Sequence, residues 1–485
     1  MSQTGIRKAL LGATWLSISG YLTYLLNFGA NLILARLLFP KDFGTFALAV
    51  SAVELLSILS GFSFSQGIIQ MDEEEDLVDT AFLLTLWTSG ALLLLGMIIS
   101  LVLRVYYQAD FAILFLSLFV VRIFSLFTYV YSARLERELH YPVLSQIRVV
   151  AAVLGVAAAV VMALRGTGVW SLFDREMVTT LVTLVGLMVV TGWVPRWRYN
   201  PATARRLWIF GYQIFLARTL ESIWYRSGTF LLGVLGGVQA LGFFDRARYL
   251  AELGHYVVSF GAVQVAFPVY ARLQAETERL SEAYRLTHYF LIRLMYPMLI
   301  WVALFPREIL SVLYGARWLS AAPVLQWLAL YGFLFPIIDN IKVLLTGIGR
   351  LREAVWVRVW QTAVTVITLA VAIPPWGARG VAAAVTLGDV AALVAGYVFL
   401  STSVRDLALG SYLRPTVAAA ALALGIEGAR RFHLLGATDR LAQMGYLGGA
   451  GILYCVMLFL VDGAEMQKNL STLLRGLRRA GAAAG

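Results

Sequence analysis

The sequence predicts an all-α integral membrane protein with about fourteen membrane-spanning helices. Charged residues make up 14% of the 485 positions and hydrophobic residues make up 60%, whereas a soluble chain carries roughly 25% charged residues. The apolar residues fall into long runs, and a helix needs about 20 mainly apolar residues to cross the hydrocarbon core. Such a chain has too few polar side chains to cover a globule in water.

The apolar runs give the order of the predicted spans. They lie at residues 11–38, 43–70, 80–103, 110–132, 142–164, 168–192, 207–235, 241–268, 286–305, 322–345, 354–373, 380–402, 413–429 and 442–462. An even number of spans places both termini on the same side. Segments that a cytoplasmic N-terminus puts inside hold about twice as many Lys and Arg residues as the outer loops. The positive-inside rule therefore predicts that both termini are cytoplasmic.

The charge distribution and the absence of certain motifs exclude several classes of partner and cofactor. The net charge of +11 does not indicate nucleic acid, because Arg and Lys are dispersed between the apolar runs; membrane lipids are the expected partner of these cations. The sequence contains no G-x-x-x-x-G-K-[ST] phosphate loop and no H-E-x-x-H zinc motif. The single Cys455 leaves no disulfide framework. We therefore expect neither a cofactor nor a metal ion.

An internal repeat relates the two halves of the chain. A shift of 198 residues aligns 43–66 with 241–264 and places the first span on the seventh. The aligned positions that share a residue type are Gly44 and Gly242, Phe46 and Phe244, Glu54 and Glu252, Phe62 and Phe260, and Gln66 and Gln264. Copies separated by six spans share one orientation, as in transporters built from two like halves. The repeat predicts six-helix bundles at 1–200 and 201–405, followed by two helices and a basic tail at 406–485.

The seventh span carries three ionisable residues, Arg218, Glu221 and Arg226. A charge at the centre of a membrane helix costs at least ~2.5 kcal/mol, even on the mildest insertion scale. Arg218 and Glu221 are three residues apart, so they share a helix face and can form an ion pair. Arg226 has no adjacent carboxylate, which favours an anionic ligand. The alternative is that Arg226 reaches the outer interface or pairs with a carboxylate on another span.

A polar stripe runs along the first span. Its members recur at intervals of three and four residues: Ser17, Tyr21, Tyr24, Asn27 and Asn31. The repeat matches them with Phe215, Thr219, Ser222, Tyr225 and Thr229 on the seventh span. A polar stripe in a membrane must face protein or water, so we predict that the two helices line a wet cavity. Hydrogen bonding between helices in a packed bundle is the alternative.

Three intramembrane carboxylates are candidates for ion or proton coupling: Glu54, Glu221 and Glu252. Glu54 and Glu252 lie deep in the second and eighth spans, and carboxyl groups in membranes commonly belong to proton relays. Structural pairing is the alternative for these two glutamates. Asp339 and Lys342 are three residues apart and are predicted to pair with each other.

Two segments resemble a known family. The segment LILARLLFPKDFGTFALAVSAVELLSILSGFSFSQGIIQ (32–70) resembles the N-terminal signature of polysaccharide-type (Wzx-like) lipid-linked oligosaccharide flippases. These flippases belong to the multidrug/oligosaccharidyl-lipid/polysaccharide exporter superfamily. The segment LYGARWLSAAPVLQWLAL (313–330) resembles the outer loop of that branch leading into the tenth span. The resemblance extends over about residues 8–405 and implies two six-helix bundles around a V-shaped central cavity.

The resemblance also implies a function. Such flippases move an undecaprenyl-pyrophosphate-linked oligosaccharide from the inner to the outer leaflet of the bacterial inner membrane by alternating access, for surface polysaccharide biosynthesis. Basic residues on their cavity-lining spans meet the pyrophosphate, and the candidates here are Arg218, Arg226, Arg122 and Arg293. The candidates for sugar contact and cavity lining are Tyr21, Tyr24, Asn27, Asn31, Gln66, Gln264 and Tyr225. No residue is expected to be catalytic, and other polysaccharide assembly proteins are candidate partners.

Two other functions fit the same composition. A cation-coupled multidrug antiporter of the same superfamily would present carboxylates and aromatic rings to its substrates, whereas the predicted cavity is basic. A membrane polymerase or ligase of polysaccharide assembly tends to carry a large outer loop with catalytic residues. The longest outer loop here is the short segment 306–321. The sequence therefore favours the flippase over both the antiporter and the enzyme.

Overall fold

The computed structural model describes residues 3–58, 64–71, 76–106, 108–256, 260–404, 409–431 and 440–484. Within these ranges every regular element is a helix, which confirms the predicted all-α class. Each of the fourteen predicted spans coincides with one helix or with two consecutive helices. Long apolar helices satisfy their backbone hydrogen bonds internally, as a hydrocarbon environment requires.

The chain forms two compact units, Met1–Asp245 and Arg246–Gly485. The helices of the first unit are α1 (Gln3–Leu37), α2 (Pro40–Ser57), α3 (Phe64–Gln70), α4 (Leu77–Tyr106), α5 (Ala109–Arg137), α6 (Tyr141–Leu164), α7 (Val169–Thr191), α8 (Pro201–Leu235) and the start of α9 (Val238–Ala251). The repeat predicts a boundary near residue 200, before α8. In the structure α8 packs against α2, α3 and α4 and so belongs to the first compact unit.

The second unit contains the end of α9 and eight further α-helices. These are α10 (Phe260–Arg272), α11 (Thr277–Leu304), α12 (Pro306–Leu313), α13 (Ala322–Gly347), α14 (Leu351–Trp376), α15 (Ala378–Leu400), α16 (Leu413–Arg431) and α17 (Arg440–Ala484). Two short 3-10 helices, Ala316–Ala321 and Leu409–Tyr412, precede α13 and α16. The core of this unit is formed mainly by α10, α11 and α13, with α16 and α17 packed against α11.

Nine helices in the described ranges are long and apolar enough to cross a membrane: α1, α4, α5, α6, α11, α13, α14, α15 and α17. The helices α7 and α8 have sufficient length, at 23 and 35 residues, but ionisable residues interrupt their apolar sequence. The chain is therefore a multi-pass membrane protein. The number of fourteen spans stays a prediction.

The beginning of α8 is fixed by a cap and by contacts with α4. The Asn200 side chain accepts hydrogen bonds from the backbone amides of Ala202 at 3.0 Å and Thr203 at 3.4 Å. Proline at the next position suits the first turn, because its missing amide has no helical partner there. The Asp79 carboxylate of α4 accepts a hydrogen bond from the backbone amide of Arg196 at 3.0 Å. These contacts set where α8 enters the unit, and therefore how deep its ionisable residues lie.

The backbones of α2 and α9 approach closely at two glycines. A Cβ added at Gly44 would lie 1.6 Å from the carbonyl oxygen of Val238, and one added at Gly242 would lie 1.9 Å from that of Pro40. Small residues permit such close helix contacts in membranes. Under the 198-residue shift, positions 40 and 44 correspond to 238 and 242. The contact is therefore reciprocal between repeat-related positions, which supports the predicted register.

A buried ionic cluster joins α17 to α11 and α16. Asp462 is 2% exposed and accepts hydrogen bonds from the Tyr289 hydroxyl at 2.6 Å, Arg293 Nε at 2.5 Å and Arg414 Nη1 at 2.8 Å. Arg414 also pairs with Glu465. Burying two or more charges is tolerated when each is paired and hydrogen-bonded. The cluster therefore fixes the rotation and depth of the last two helices in the second unit.

We predict that Gly44→Ala and Gly242→Ala each lower the stability of the purified protein by roughly 1–3 kcal/mol, because the added methyl group would overpack a backbone contact. The measurement is the thermal unfolding midpoint in detergent. Gly90→Ala serves as the control, since a Cβ at Gly90 of α4 meets no atom within 4 Å. Equal midpoints for all three variants would contradict the close contact.

We predict that Asp462→Ala destabilises the second unit by about 3–5 kcal/mol, because it leaves the buried Arg293 guanidinium without a countercharge. Denaturant or thermal unfolding of the purified protein measures this loss. Glu276→Ala is the matched control, because its pair with Arg279 is exposed, with 49% and 72% of the two side chains accessible. Such surface pairs contribute about 0–1 kcal/mol, so similar losses in both variants would contradict the assignment.

Candidate anion site in the first unit

A cavity of about 560 Å³ lies among α2, α3, α4, α5, α6 and α8 of the first unit. Ligand sites typically enclose about 300–1,000 Å³. The hydroxyl-bearing residues in its lining are Ser57, Ser65, Thr85, Thr88, Tyr129, Ser132, Thr219 and Ser222. The ionisable residues in its lining are Glu54, Arg122, Glu136, Arg148, Arg218 and Glu221. The walls thus combine hydrogen-bonding groups with both signs of charge.

One face of α5 forms a wall of the cavity. Arg122, Tyr129, Ser132 and Glu136 follow one another at intervals of seven, three and four residues, which places them on one side of a helix. Fourteen residues of helix rise about 21 Å, compared with a hydrocarbon core of about 30 Å. The cavity therefore follows α5 over much of the membrane thickness.

This α5 stripe was missed by the sequence reasoning, apart from Arg122. The same three-and-four periodicity that identified the stripe of α1 is present in it, so the signal was available. Arg148 of α6 carries no comparable pattern. Arg148 lines the cavity, and its Nη2 lies 3.4 Å from Glu136 Oε1.

A second wall is formed by α8. Phe215, Arg218, Thr219 and Ser222 line the cavity at helical spacing. Three of these positions are the repeat matches of the α1 stripe, so the predicted face of the seventh span does border a cavity. Glu54 of α2 and Gln66 of α3, both predicted from sequence, also lie in the lining.

Besides Glu136, which lies next to Arg148, a second glutamate of the cavity is paired with an arginine. Arg226 holds Glu54 through two hydrogen bonds: Nε donates to Oε2, and Nη2 donates to Oε1 at 2.9 Å. Bidentate arginine–carboxylate pairs are among the stronger polar interactions in proteins. The Arg226 guanidinium also lies 4.9 Å from the centre of the Tyr225 ring. Arg226 is thus committed to Glu54, and neither Arg226 nor Tyr225 is part of the lining.

Arg122 and Arg218 differ from these paired arginines. Within the described part of the chain, neither guanidinium forms an ion pair with a carboxylate, and the i, i+3 spacing of Arg218 and Glu221 does not produce one. The Nε atom of Arg122 is buried and has no hydrogen-bond partner there. Two positive groups with unused hydrogen-bond donors therefore border the same cavity.

The α1 stripe does not contribute to this cavity. Asn27 Nδ2 donates to the Thr23 carbonyl oxygen at 2.9 Å, and Asn31 Nδ2 donates to the Asn27 carbonyl oxygen at 2.9 Å, so both amides bond within their own helix. Tyr21 and Tyr24 lie on the same helix, which packs against α6. The side chain of Ser17 lies outside the described residues.

Three predicted residues lie in the second unit. Arg293 donates to Asp462 in the buried cluster described above and is 6% exposed. Glu252 accepts from Arg248 Nε at 2.8 Å and from the Tyr331 hydroxyl at 2.6 Å. The side chain of Gln264, on α10, lies outside the described residues. Each of Glu54, Glu252, Arg226 and Arg293 has a countercharge from another position in the chain. The structural-pairing alternative is therefore the arrangement found for these four residues.

Metal binding has no support from the described residues, in which no three His, Cys, Asp or Glu side chains converge on a common point. Arg122 and Arg218 both line the cavity, together with hydroxyl groups and the Gln66 amide, so the lining can bind an anion. Guanidinium groups match the geometry of phosphate oxygens and can bind them in bidentate fashion.

Known proteins are similar to this chain in sequence and in fold. Residues 33–323 match the model of the polysaccharide biosynthesis protein family. The chain is 28% identical over 353 residues to the succinoglycan biosynthesis transport protein ExoT of Rhizobium meliloti, covering 70% of each chain. It is 23% identical over 389 residues to the lipopolysaccharide biosynthesis protein WzxC of Escherichia coli, covering 77% of each chain.

Two solved structures share the fold. The lipid II flippase MurJ in an inward closed conformation aligns with a TM-score of 0.76 at 11% identity, covering 93% of this chain and 99% of that chain. An inward-facing multidrug resistance MATE family transporter of the MOP superfamily aligns with a TM-score of 0.59 at 18% identity, covering 81% and 98%. The predicted resemblance is confirmed. Because the family match spans more than half of the sequence, this chain belongs to the polysaccharide biosynthesis protein family.

Proposed function

We propose that this protein is a flippase that moves an undecaprenyl-pyrophosphate-linked oligosaccharide from the inner to the outer leaflet of the bacterial inner membrane. It would act by alternating access, with both termini in the cytoplasm, and would supply surface polysaccharide biosynthesis. The proposal includes no catalytic step. Its support is the pair of arginines, Arg122 and Arg218, that border a polar cavity without carboxylate partners among the described residues.

A charged headgroup is costly to move through hydrocarbon. Even one charged side chain at the bilayer centre costs at least ~2.5 kcal/mol, and a pyrophosphate carries more than one negative charge. Arg122 and Arg218 would replace part of the lost hydration with charge-assisted hydrogen bonds. The anion would also supply both arginines with a countercharge, which neither of them has among the described residues.

The remaining lining suits a sugar. The Gln66 amide and the Tyr129 hydroxyl can donate to and accept from sugar hydroxyls. The hydroxyls of Thr88 and Ser132 donate to backbone carbonyls of their own helices and can accept from a sugar. The prenyl chain needs no polar contact and would remain in the surrounding lipid. The cavity thus offers a different environment to each part of a lipid-linked oligosaccharide.

The pairing of the glutamates disfavours a transporter of cationic drugs. Such a substrate needs accessible negative charge, but two of the three glutamates in the lining, Glu54 and Glu136, lie against Arg226 and Arg148 respectively. We propose that Arg226 serves mainly to compensate Glu54, and that Arg293 serves the ionic cluster of the second unit. The pyrophosphate candidates therefore narrow from four arginines to Arg122 and Arg218.

We predict that Arg122→Ala and Arg218→Ala each reduce polysaccharide export about tenfold or more. Loss of a hydrogen bond to a charged group costs about 1.5–3 kcal/mol, and each 1.4 kcal/mol corresponds to a factor of about ten in affinity. Export is measured as cell-surface polysaccharide in a deletion strain that expresses each variant at equal level. Arg165→Ala is the matched control, because Arg165 is an exposed residue at the end of α6.

A binding measurement tests the same assignment without transport. Undecaprenyl pyrophosphate should raise the melting temperature of the purified protein and of Arg165→Ala, but not that of the Arg122→Ala/Arg218→Ala double variant. Undecaprenol, which lacks phosphate, should shift none of them. Normal export by both single variants would refute the proposed anion site. A deletion strain with normal export but lost resistance to cationic drugs would favour the antiporter. A deletion strain that displays single repeat units outside the cell would favour the polymerase.

We predict that Arg226→Gln impairs export and that the double variant Glu54→Gln/Arg226→Gln restores most of it. The single change leaves the Glu54 carboxylate uncompensated, whereas the double change replaces an ion pair with two neutral amides. Export in the same deletion strain is the readout. A double variant as defective as Arg226→Gln would show instead that Arg226 contacts the substrate.

A further inference from the structure

Asp389, in the middle of α15, is a buried carboxyl group in the second unit. It is 0% exposed. Its Oδ1 accepts a hydrogen bond from Gln361 Nε2 of α14 at 2.6 Å, and its Oδ2 has no hydrogen-bond partner among the described residues. A neutral amide supplies no countercharge. The hydrogen bond from Gln361 therefore compensates a negative charge on Asp389 poorly.

The packing around Asp389 excludes water. At the preceding residue, a Cβ added to Gly388 would lie 1.9 Å from Thr365 Oγ1 and 2.9 Å from the Gln361 carbonyl oxygen, so α14 and α15 are in close contact here. Gln361 is 1% exposed and Thr365 is 0% exposed. The Thr365 hydroxyl donates to the Gln361 carbonyl at 2.7 Å and is thereby occupied.

Two other carboxyl groups are buried among the described residues of this unit, and they are surrounded differently. Asp462 receives hydrogen bonds from two arginines and a tyrosine, and Glu252 receives them from Arg248 and Tyr331. Removing an ion from water costs several kcal/mol even after relaxation of the protein. A buried group without compensation avoids that cost by becoming neutral. Asp389 differs from Asp462 and Glu252 because no cation lies at hydrogen-bond distance from it among the described residues.

The charged groups near Asp389 come from three helices. Arg358 of α14 lies behind Gln361, because its Nη1 donates to Gln361 Oε1 at 2.7 Å. Lys342 of α13 is paired with Asp339 at 3.1 Å, which confirms the pair predicted from sequence. Arg248 of α9 is occupied by Glu252. Arg358, Lys342 and Arg248 are the cations that act on Asp389 electrostatically, and none of them forms an ion pair with it in the structure.

We propose that Asp389 is a proton-binding site, neutral in the conformation described here, and that it ionises when Arg358 replaces Gln361 as its neighbour. In that step the carboxyl O–H bond breaks, the proton passes to water, and the carboxylate gains the guanidinium as countercharge. The reverse step takes up one proton from water. Arg358 needs to move past a single amide, since Gln361 already contacts both groups.

A proton that binds one conformation better than another shifts the balance between them. Protonation of Asp389 stabilises the arrangement in which α14 and α15 are closely packed and dry. Deprotonation stabilises an arrangement with Arg358 against α15. A transmembrane pH difference can therefore drive a conformational cycle through this site. The inference goes beyond the proposed flippase activity, because Asp389 is not a residue of the cavity that we assign to the substrate.

Infrared spectroscopy of the purified protein in lipid nanodiscs tests the site without any substrate. We expect the C=O stretch of a protonated carboxyl group at neutral pH in the wild type and its loss in Asp389→Asn. In Asp389→Glu the stretch should remain at a shifted frequency. Glu252→Gln is the matched control: it removes an equally buried but ion-paired carboxylate and should leave the stretch in place.

A second measurement does not depend on any variant folding. Wild-type protein labelled with ¹³C at the aspartate side-chain carboxyl should show the same stretch displaced by the isotope. Absence of a displaced stretch at neutral pH would overturn the proposal. A stretch that persists in Asp389→Asn, or one that responds to sodium ions and not to pH, would also overturn it.

Transport gives the functional readout. In proteoliposomes, an imposed pH gradient should accelerate substrate movement by the wild type, and Asp389→Asn should lose that acceleration while movement without a gradient continues. If no substrate movement is detected in any protein, the flippase proposal fails, while the infrared result still decides the proton site. If movement occurs and the gradient accelerates both proteins equally, the proton site is refuted and the flippase proposal stands.

Discussion

An ionisable group on a helix in hydrocarbon must be compensated by a countercharge, by water in a cavity, or by a proton. This constraint is imposed by the low dielectric of the surroundings, in which an uncompensated ion costs several kcal/mol. The described residues of this protein use different solutions in different places. Arg293 and Asp462 compensate each other in a buried cluster, and Arg122 and Arg218 border a polar cavity. Asp389 is bonded to a neutral amide alone.

The predicted internal repeat allows one position to be compared between the two halves of the sequence. Glu54 and Glu252 occupy matched positions, but their surroundings differ. Glu54 lines a cavity and is held by Arg226 from α8. Glu252, which directly follows α9, is 3% exposed and is held by Arg248 of α9, together with Tyr331. The same residue type thus borders an accessible site in one copy and belongs to a closed packing network in the other.

Family membership and site geometry address different questions. The family match and the relatives in polysaccharide biosynthesis identify the class of protein. They do not identify which of its arginines face a ligand. The distinction that we propose rests on the pairing pattern: Arg226 and Arg293 have carboxylate partners, whereas Arg122 and Arg218 border a cavity and have none in the described part of the chain. An intramembrane arginine is therefore informative about function only after its countercharge has been sought.

The sequence by itself determined the helical membrane class and the order of the helices, because these depend on apolar runs and local periodicity. It also determined the pair of Asp339 and Lys342, whose three-residue spacing places both groups on one turn. Only the tertiary structure decided that Glu54 and Arg226, 172 residues apart, would meet, and that Asp462 would hold Arg293 across 169 residues. It likewise decided that α5, and not α1, would form a cavity wall. Periodicity fixes which side chains share a face of one helix, whereas the rotation and depth of that face relative to other helices follow from the packing of the whole unit.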